Sequence, residues 1–319
     1  MSSSLDRISM KALKGSSVVF YLHRVGERQA DFYPEGISKS GFEASVQHLL
    51  RLGFGFPSLK EAYDGVGTAK GPGAVLTVDD GFSSVYHEIL PIIRKHALPL
   101  TVFVIGKCID NRALAWNHKL IRIRHHADDA RIQEALDGLQ KKYSLCAVGS
   151  VQSRIFSVQD SQKDRLCDEL WDLFCPISQE EYLVVEQPFL SLAQMRELAE
   201  NNVEFALHSQ SHADFGRLSY PDMRRELIMN REALSEAGFT PSPFFAFPYG
   251  RQCDDGLLPA LCRDASLKAC LGFRYRYRDN RQDHILWQRI SLEQHPFPGL
   301  KELVLRPGLR FIKDSITRN

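Results

Sequence analysis

The first third of the chain alternates between short, continuously apolar runs and longer amphipathic stretches. The apolar runs at residues 17–22, 73–78 and 100–105 are rich in β-branched and aromatic side chains, which is typical of buried strands. Between them, residues 38–52 and 83–96 carry apolar positions at the spacing of an amphipathic helix. This alternating order of strands and helices predicts a parallel sheet wound with helices.

A different pattern occupies residues 107–188, where the sequence is polar, charged and helix-like, without a strong strand candidate. After it the alternation of strands and helices returns. Inside the insertion, the expected helices are at residues 113–126, 129–142 and 162–174. After it, helices are expected at 191–200, 220–237, 256–264 and from 299 onward, and strands at 203–207, 243–247, 266–277 and 284–292. We therefore predict a single domain over residues 17–319, with a helical insertion at about 107–188 and a flexible N-terminus at 1–16.

The overall composition limits the classes of function. The 319 residues are 44% hydrophobic and 25% charged, with a formal net charge of +1, which is ordinary for a globular enzyme. Such a balance offers no global basic surface, so nucleic acid is not expected as a partner. The seven cysteines form no C-x-x-C pair, which indicates reduced thiols and not a disulfide framework or a thiolate zinc site. With no apolar signal segment visible, a cytoplasmic location is expected.

The N-terminal segment leaves one alternative open. Residues 5–13 place apolar side chains at helical spacing, with basic residues between them. This pattern is typical of a frayed terminus, or of an amphipathic helix that makes peripheral contact with a membrane. The sequence does not indicate an oligomeric state.

Three polar clusters each follow a predicted strand, at residues 79–80, 208–212 and 248–250. In a barrel of parallel strands, the carboxyl ends of all strands open on the same face. Clusters far apart in the sequence can therefore converge there. The pattern predicts one active site at this end of the barrel.

The residue types in these clusters suit a metal ion. A carboxylate from Asp80 with imidazoles from His208 and His212 suits zinc, cobalt, iron or nickel, and leaves coordination positions open for water and substrate. The second carboxylate, Asp79, could then take a proton from that water. Taken separately, the acids could simply cap the next helix and the histidines could be ordinary loop residues. Taken jointly, they favour a metal-dependent hydrolase.

These residues resemble the motifs of the NodB-type polysaccharide deacetylases, carbohydrate esterase family four. Residues 77–81 (T-V-D-D-G) resemble the family's T-[FY]-D-D-G, with valine in place of the aromatic residue, and residues 208–212 (H-S-Q-S-H) resemble H-[ST]-x-x-H. Residues 245–250 (F-A-F-P-Y-G) are similar to the third motif, usually R-x-P-Y-G. Residues 21–25 (Y-L-H-R-V) are similar to a Y-H-R-V segment of many bacterial members. The likeness extends over roughly residues 17–295, apart from the insertion.

The resemblance implies a distorted (β/α) barrel with seven or so strands that removes an N-acyl group from an amino-sugar or glycan substrate. That substrate would be a polysaccharide or a nucleotide-linked or lipid-linked precursor. Zinc is the expected metal, and cobalt, nickel or iron would also fit. The implied roles are metal binding by Asp80, His208 and His212, general base catalysis by Asp79, help in holding the oxyanion by the backbone N–H of Tyr249, and lining of the acyl pocket by Pro248, Tyr249 and Gly250.

The sequence departs from the family at two positions. The arginine that usually orients the base is replaced by Ala246, and we expect Arg289 to take its place, although a surface arginine is the alternative. The histidine that usually serves as general acid is also missing from the last motif, and His23 or His295 could supply the proton instead. The candidate catalytic residues are therefore Asp79, Arg289 and His23.

Two other features lie outside these motifs. Residues 273–278 alternate aromatic and basic side chains, as in an edge strand guarded by charge or a strand that contacts an anionic substrate. His118, His125 and His126 lie in the insertion without a visible carboxylate partner, so we expect them at the surface. Because the three proposed ligands lie outside the insertion, its removal should change substrate choice or assembly more than it changes metal binding.

Two other functions remain open on the sequence alone. Related metal chemistry could hydrolyse a non-sugar C–N bond, because the metal acts on the acyl group and not on what lies beyond it. A catalytically silent carbohydrate-binding barrel is the second alternative, and the missing arginine and histidine are its best support. The presence of Asp79 and of all three proposed metal ligands weighs against a catalytically silent protein.

Overall fold

The structure is a computed structural model that describes residues 13, 15–26, 36–66, 71–273, 284–298 and 303. Within these residues, seven parallel strands form a closed barrel in chain order. The strands are β1 (Ser17–Leu22), β2 (Gly73–Val78), β3 (Leu100–Val104), β4 (Val203–Leu207), β5 (Phe244–Ala246), β6 (Ala269–Gly272) and β7 (Leu286–Ser291). β1 pairs with β7, with Val19 opposite Arg289, and this pairing closes the barrel. The predicted distorted (β/α) barrel is confirmed.

Helices surround the barrel and fill the longest connection between strands. They are α1 (Lys39–Leu52), α2 (Leu59–Tyr63), α3 (Leu90–His96), α4 (Trp116–His126), α5 (Asp129–Tyr143), α6 (Val151–Ser157), α7 (Asp160–Phe174), α8 (Gln179–Glu186), α9 (Leu192–Ala199), α10 (Tyr220–Glu236) and α11 (Leu258–Asp264). Local sequence sets many of their ends. For example, the Ser38 side chain accepts a hydrogen bond from the Gly41 N–H at the start of α1, and Gly53 ends that helix in the left-handed conformation.

Side chains on each strand alternate between two apolar cores. Inward residues such as Val75, Phe103 and Trp287 fill the barrel, while outward residues join the surrounding helices in a larger core. Burial on both faces explains why the strands are continuously apolar in sequence. The same alternation directs Thr77 and Arg289, two positions beyond Val75 and Trp287, to the interior near the mouth of the barrel.

The connection between β3 and β4 holds the six helices α4 to α9, and no strand occurs in this fully described stretch. The first five of them, α4 to α8, make up the insertion. These helices build their own core around residues such as Leu120 and Trp171. Phe82, which follows β2, and Phe189, which follows α8, belong to the same core. The insertion is therefore packed against the mouth of the barrel. Its short helices α6 and α8 were not predicted, because each is only about two turns long and offers little periodicity.

Three predicted elements differ from the structure or fall outside it. The helix expected at residues 83–96 begins with a π-helical turn, Val85–Ile89, because Pro91 has no N–H to continue the α-helical ladder. β6 ends at Gly272, and the remainder of the 273–278 pattern after Phe273 lies outside the described residues, as does nearly all of the predicted terminal helix. Most of the predicted flexible N-terminus also lies outside them. None of the helices in the described ranges combines the length and the apolar character that a bilayer span needs.

Candidate metal centre and active site

The candidate residues meet at the carboxyl ends of the strands, as the predicted barrel requires. Asp79 and Asp80 directly follow β2, His208 directly follows β4, and residues 248–250 follow β5 after Phe247. Arg289 lies within β7, and His23 directly follows β1. The polar clusters therefore share one face of the barrel.

Asp80, His208 and His212 form a compact buried cluster. The Oδ1 atom of Asp80 lies 3.2 Å from His208 Nε2 and 3.4 Å from His212 Nε2. One ligand atom from each residue can be chosen so that all three lie within 4.8 Å of one another. Asp80 Oδ1 is buried and accepts no hydrogen bond from the described part of the chain. A buried carboxylate oxygen facing two imidazole nitrogens in this way fits a divalent transition metal.

The hydrogen bonds of the two histidines favour the form that binds metal. His208 Nδ1 lies 2.8 Å from the carbonyl oxygen of Ala246, to which it can only donate. His212 Nδ1 lies 3.2 Å from Asn117 Oδ1 and 2.8 Å from the Tyr249 hydroxyl. With a proton on Nδ1, each ring presents an unprotonated Nε2 toward Asp80.

Burial and neighbouring charges set the protonation states of Asp80 and His212. Burial alone raises the pKa of Asp80, but the three neighbouring histidines, His212 foremost, hold it well below its usual range. Burial lowers the pKa of His212 to about 4, although Asp80 raises it. Asp80 is therefore an anion and His212 a neutral imidazole at neutral pH, the forms in which such side chains can bind a metal.

The backbone is unusual at three of these positions. Asp80 (φ 70°), His212 (φ 62°) and Tyr249 (φ 57°) all adopt the left-handed conformation, which is uncommon for residues other than glycine. Gly81 follows at φ 76°, and a Cβ atom there would lie 3.0 Å from the Val104 side chain. Such strained conformations concentrate at functional sites, where the surrounding structure enforces them.

Asp79 is held by Arg289 in a two-pronged ion pair. Arg289 Nη1 donates to Asp79 Oδ1 at 2.7 Å and Nη2 donates to Oδ2 at 2.8 Å, and both side chains are fully buried. Burial raises the pKa of Asp79, but the positive charge and hydrogen bonds of Arg289 bring it below its usual value. Arg289 therefore occupies the position expected of it from the sequence.

Aromatic rings fix the Arg289 guanidinium in place. Its central carbon lies 4.8 Å from the ring centroids of both Tyr21 and Phe273 and 5.3 Å from that of Phe103. Nη1 also lies 3.3 Å from Thr77 Oγ1. Rings around a buried cation restrict its orientation and interact favourably with its charge.

Residues 248–250 form one wall beside the histidines. The Tyr249 ring meets that of His212 edge to face, with 4.4 Å between centroids, and Pro248 is buried. Gly250 has φ 62°, and a Cβ atom there would overlap the ring of Phe273. The P-Y-G sequence therefore fits a tight turn that no larger residue could complete at position 250.

His23 is paired with a carboxylate that the sequence did not single out. Its Nδ1 lies 3.0 Å from Glu293 Oε2, and Glu293 Oε1 accepts the backbone N–H groups of His23 and Arg24. Burial lowers the pKa of His23, but Glu293 raises it to about 10, with smaller contributions from Asp80 and Asp79. His23 is therefore protonated at neutral pH. Glu293 stands just beyond β7, a strand-end position that could have drawn attention to it.

The expectation that His118 lies at the surface is wrong. Its side chain is fully buried, and its Nε2 atom lies 3.3 Å from Asp80 Oδ2. His125 is exposed, as expected, and His126 is partly buried. The contact of His118 joins residues 38 positions apart, so no local spacing could reveal it. The insertion therefore reaches the candidate metal centre.

Two residues of α10 also support the histidine loop without having been predicted. Asn230 Oδ1 accepts the His208 N–H at 2.8 Å, and Glu226 accepts both the N–H and the hydroxyl of Ser211 at 2.8 Å. Glu226 and Asn230 are one helical turn apart and therefore lie on the same side of α10. Two polar residues at that spacing, on either side of the buried Leu227, could have indicated that this side of α10 faces the site.

Known proteins share this fold and part of this sequence. The model of the polysaccharide deacetylase family matches residues 67–261. YxkH of Bacillus subtilis (strain 168), which is named as a polysaccharide deacetylase, is 30% identical over 79 residues, covering 24% of this chain and 28% of that protein. The Streptococcus pyogenes deacetylase PplD, solved in complex with acetate, superimposes with a TM-score of 0.56 at 15% identity, covering 91% of this chain and 97% of that one.

A second solved structure gives the same result. IcaB from Ammonifex degensii has a TM-score of 0.55 at 18% identity, covering 92% of this chain and 97% of that chain. At such identities the structural likeness concerns the fold, while the family match covers more than half of the sequence and includes Asp79, Asp80, His208 and His212. The barrel and its site thus define a NodB-type hydrolase fold. The chain belongs to the polysaccharide deacetylase family.

Proposed function

We propose that this protein is a divalent-metal-dependent deacetylase that removes an N-acyl group, foremost acetyl, from an amino-sugar-containing substrate. The observation that carries the proposal is the pairing of two carboxylates with different surroundings. Asp80 faces His208 and His212, while Asp79 is held by Arg289 in a fork. Asp80 is thereby suited to bind a metal ion, and Asp79 is suited to accept a proton.

In this proposal Asp80, His208 and His212 hold the metal, with zinc as the expected ion and cobalt, nickel or iron as alternatives. When bound, the metal would act as a Lewis acid on the acyl carbonyl and on the attacking water. Asp79 accepts the proton of that water. The Arg289 fork keeps Asp79 ionised and fixes the direction of its oxygens.

His23 is the proposed general acid. A leaving amine must gain a proton, and His23 is protonated at neutral pH because Glu293 raises its pKa to about 10. The charges of Asp79 and Asp80 also act on His23, which supports its closeness to the reacting groups.

The loop at residues 248–250 would line the acyl pocket, with the backbone N–H of Tyr249 directed at the developing oxyanion. Next to it, the Phe156 ring lies 5.2 Å from the Tyr249 ring. Phe156 also borders an open groove of about 470 Å³ whose lining includes Arg217 and Arg251. We propose that sugar units beyond the acyl group lie in this groove, where an aromatic face and polar donors suit a saccharide.

The substrate would be a polysaccharide or a nucleotide-linked or lipid-linked precursor. The cytoplasmic location expected from the sequence stays a prediction. The silent carbohydrate-binding alternative rested on the arginine missing at Ala246 and on the missing histidine of the last motif. The contact of Arg289 with Asp79 answers the first of these two arguments. Hydrolysis of a non-sugar C–N bond has no specific support in the site.

A panel of substrates tests this proposal. Zinc-loaded protein is incubated with N-acetylated glycan oligomers, nucleotide-linked N-acetyl sugars and lipid-linked N-acetyl sugars, and released acetate is measured. The Asp79→Asn variant provides the background. We expect acetate from at least one class at a rate well above that of the variant. Acetate release by the variant at the wild-type rate would contradict the proposal, as would the absence of acetate release from all three classes.

A further inference from the structure

His118 brings the helical insertion into contact with the candidate metal centre. The histidine lies near the start of α4, and its Nε2 atom is 3.3 Å from Asp80 Oδ2. His208 and His212 face the other oxygen of the same carboxylate, Oδ1. The two oxygens of Asp80 therefore have separate partners.

The neighbouring residue makes a parallel contact. Asn117 Oδ1 lies 3.2 Å from His212 Nδ1, on the side of that ring turned away from Asp80. The two consecutive residues of α4 thus contact two of the three proposed metal ligands. Both are buried, although the exposed His125 on the same helix shows that α4 also has a solvent-facing side.

The His118 ring is enclosed on several sides. It lies 5.3 Å from the ring of Phe82 and 5.2 Å from that of Phe189, and 6.1 Å from that of His212. Phe82 and Phe189 are themselves stacked at 5.5 Å and joined by a β-bridge. A ring held in this way keeps its nitrogen in a fixed position relative to Asp80.

We propose that His118 and Asn117 are positioning residues supplied by the insertion for the metal centre, an inference that rests on the proposed metal-dependent function. His118 donates its Nε2–H to Asp80 Oδ2, which holds the carboxylate in one orientation and leaves Oδ1 for the metal. Asn117 Oδ1 accepts the Nδ1–H of His212 together with the Tyr249 hydroxyl, which leaves Nε2 of that ring for the metal. Partners of this kind typically change metal affinity by about 10- to 100-fold.

His118 is assigned a supporting role because it falls outside the compact ligand set. The set of mutually close ligand atoms found among the described residues contains Asp80, His208 and His212 without His118. Its contact is with the carboxylate oxygen that does not face the other two histidines. The geometry thus suits a hydrogen bond to a ligand better than coordination.

Ion pairs within the insertion hold α4 against α7. Lys119, the next residue along, bridges Asp164 at 3.1 Å and Asp168 at 2.7 Å, both on α7. Since binding linkage is reciprocal, a metal ion whose ligands are positioned by α4 must also stabilise the docked position of α4. The insertion therefore acts as a structural part of the metal centre and not only as a segment that selects substrates.

The test compares zinc affinities of full-length variants by competition with a chromophoric chelator. His118→Phe keeps a ring between Phe82 and Phe189 but loses the N–H donor, whereas His118→Gln retains an N–H donor at similar reach. His125→Ala, on the exposed side of the same helix, is the matched control. We expect about 10- to 100-fold weaker binding for His118→Phe, recovery to within a few fold for His118→Gln, and no change for His125→Ala.

Two further measurements separate positioning from coordination or general damage. The visible spectrum of the cobalt-saturated protein should be the same in wild type and His118→Phe, because the number of ligands is unchanged. Zinc should slow amide hydrogen exchange in α4 of the wild type, and less so in His118→Phe. Asn117→Leu should weaken zinc binding, while Asn117→Asp, a better acceptor for the Nδ1–H of His212, should preserve or strengthen it.

The outcomes are distinct. Wild-type affinity in His118→Phe would overturn the inference, and an altered cobalt spectrum in that variant would show that His118 is a ligand instead. If His118→Phe does not fold, equal zinc affinity in Asn117→Leu and wild type overturns the inference. A wild-type protein that binds neither zinc nor cobalt would overturn the proposed metal-dependent function itself.

Discussion

Arg289 and Asp79 form a buried, two-pronged ion pair between β7 and the end of β2, across 210 positions of sequence. The bonds measure 2.7 and 2.8 Å, and neither side chain is exposed. Ala246, where the family motif usually has an arginine, cannot make this contact. The site thus retains a cation beside the proposed base, delivered from a different strand of the barrel.

Replacement of this cation tests its role. Arg289→Ala should lower the deacetylation rate by about 10- to 100-fold and leave the zinc content unchanged, because the arginine contacts the base and not the metal ligands. Arg289→Lys should recover only part of the rate, since a point charge does not reproduce the fork. Zinc content and initial rates of acetate release measure both effects. A wild-type rate in Arg289→Ala would leave Arg289 without a catalytic role.

The base itself is tested by Asp79→Asn. This variant keeps the shape of the side chain and should bind zinc as the wild type does, but it should lose about 10²-fold or more in rate. Metal analysis of the purified variant alongside its rate gives the answer. Loss of zinc with Asp79→Asn would instead mean that the roles of Asp79 and Asp80 are exchanged.

The pH dependence of the reaction tests His23. Glu293 raises the pKa of His23 to about 10, whereas burial alone lowers it. A general acid works only while protonated, so activity should fall at the alkaline side as His23 loses its proton. Glu293→Gln removes the stabilising charge, lowers the pKa of His23 and should therefore move this alkaline limb to lower pH.

The pH–rate profile of kcat/KM in wild type and Glu293→Gln provides the measurement. His23→Gln should abolish the alkaline limb and reduce the rate. An alkaline limb at the same pH in wild type and Glu293→Gln would assign the general acid to another group. The Lys95→Gln variant, whose ion pair with Glu43 lies at the surface, is a control that should leave the profile unchanged.

The metal ligands should be individually indispensable. Asp80→Ala, His208→Ala and His212→Ala should each lose most of the bound metal, because a site with three protein ligands has no spare one. His125→Ala serves as the control for removal of an imidazole. Elemental analysis after dialysis measures the metal, and full retention by the His208→Ala and His212→Ala double variant would refute the assignment.

The barrel and the central residues could be predicted because their signals are local. Continuously apolar strands, each followed by polar residues, place Asp79, Asp80 and His208 on one face once the strands are known to be parallel. The position of Arg289 also followed from its strand. Alternation from the inward Trp287 directs Arg289 to the interior, where Asp79 lies.

The supporting residues could not be predicted, because their partners are distant in sequence and their own surroundings are unremarkable. His118 and Asn117 lie in a polar helix, and only the docking of the insertion brings them to Asp80 and His212. The role of Glu293 likewise depends on a distant residue, because β1 places His23 beside it. Tertiary contacts of this kind leave no periodicity in the chain.

The central claim is that hydrolysis depends on a metal held by Asp80, His208 and His212. The most direct test is to titrate metal-free protein with zinc while measuring bound metal and acetate release from the best substrate of the panel. Acetate release should rise in proportion to bound zinc and reach its plateau at about one equivalent, since one three-ligand site is proposed. Full acetate release by the metal-free protein, or by zinc-treated Asp80→Ala, would contradict the claim.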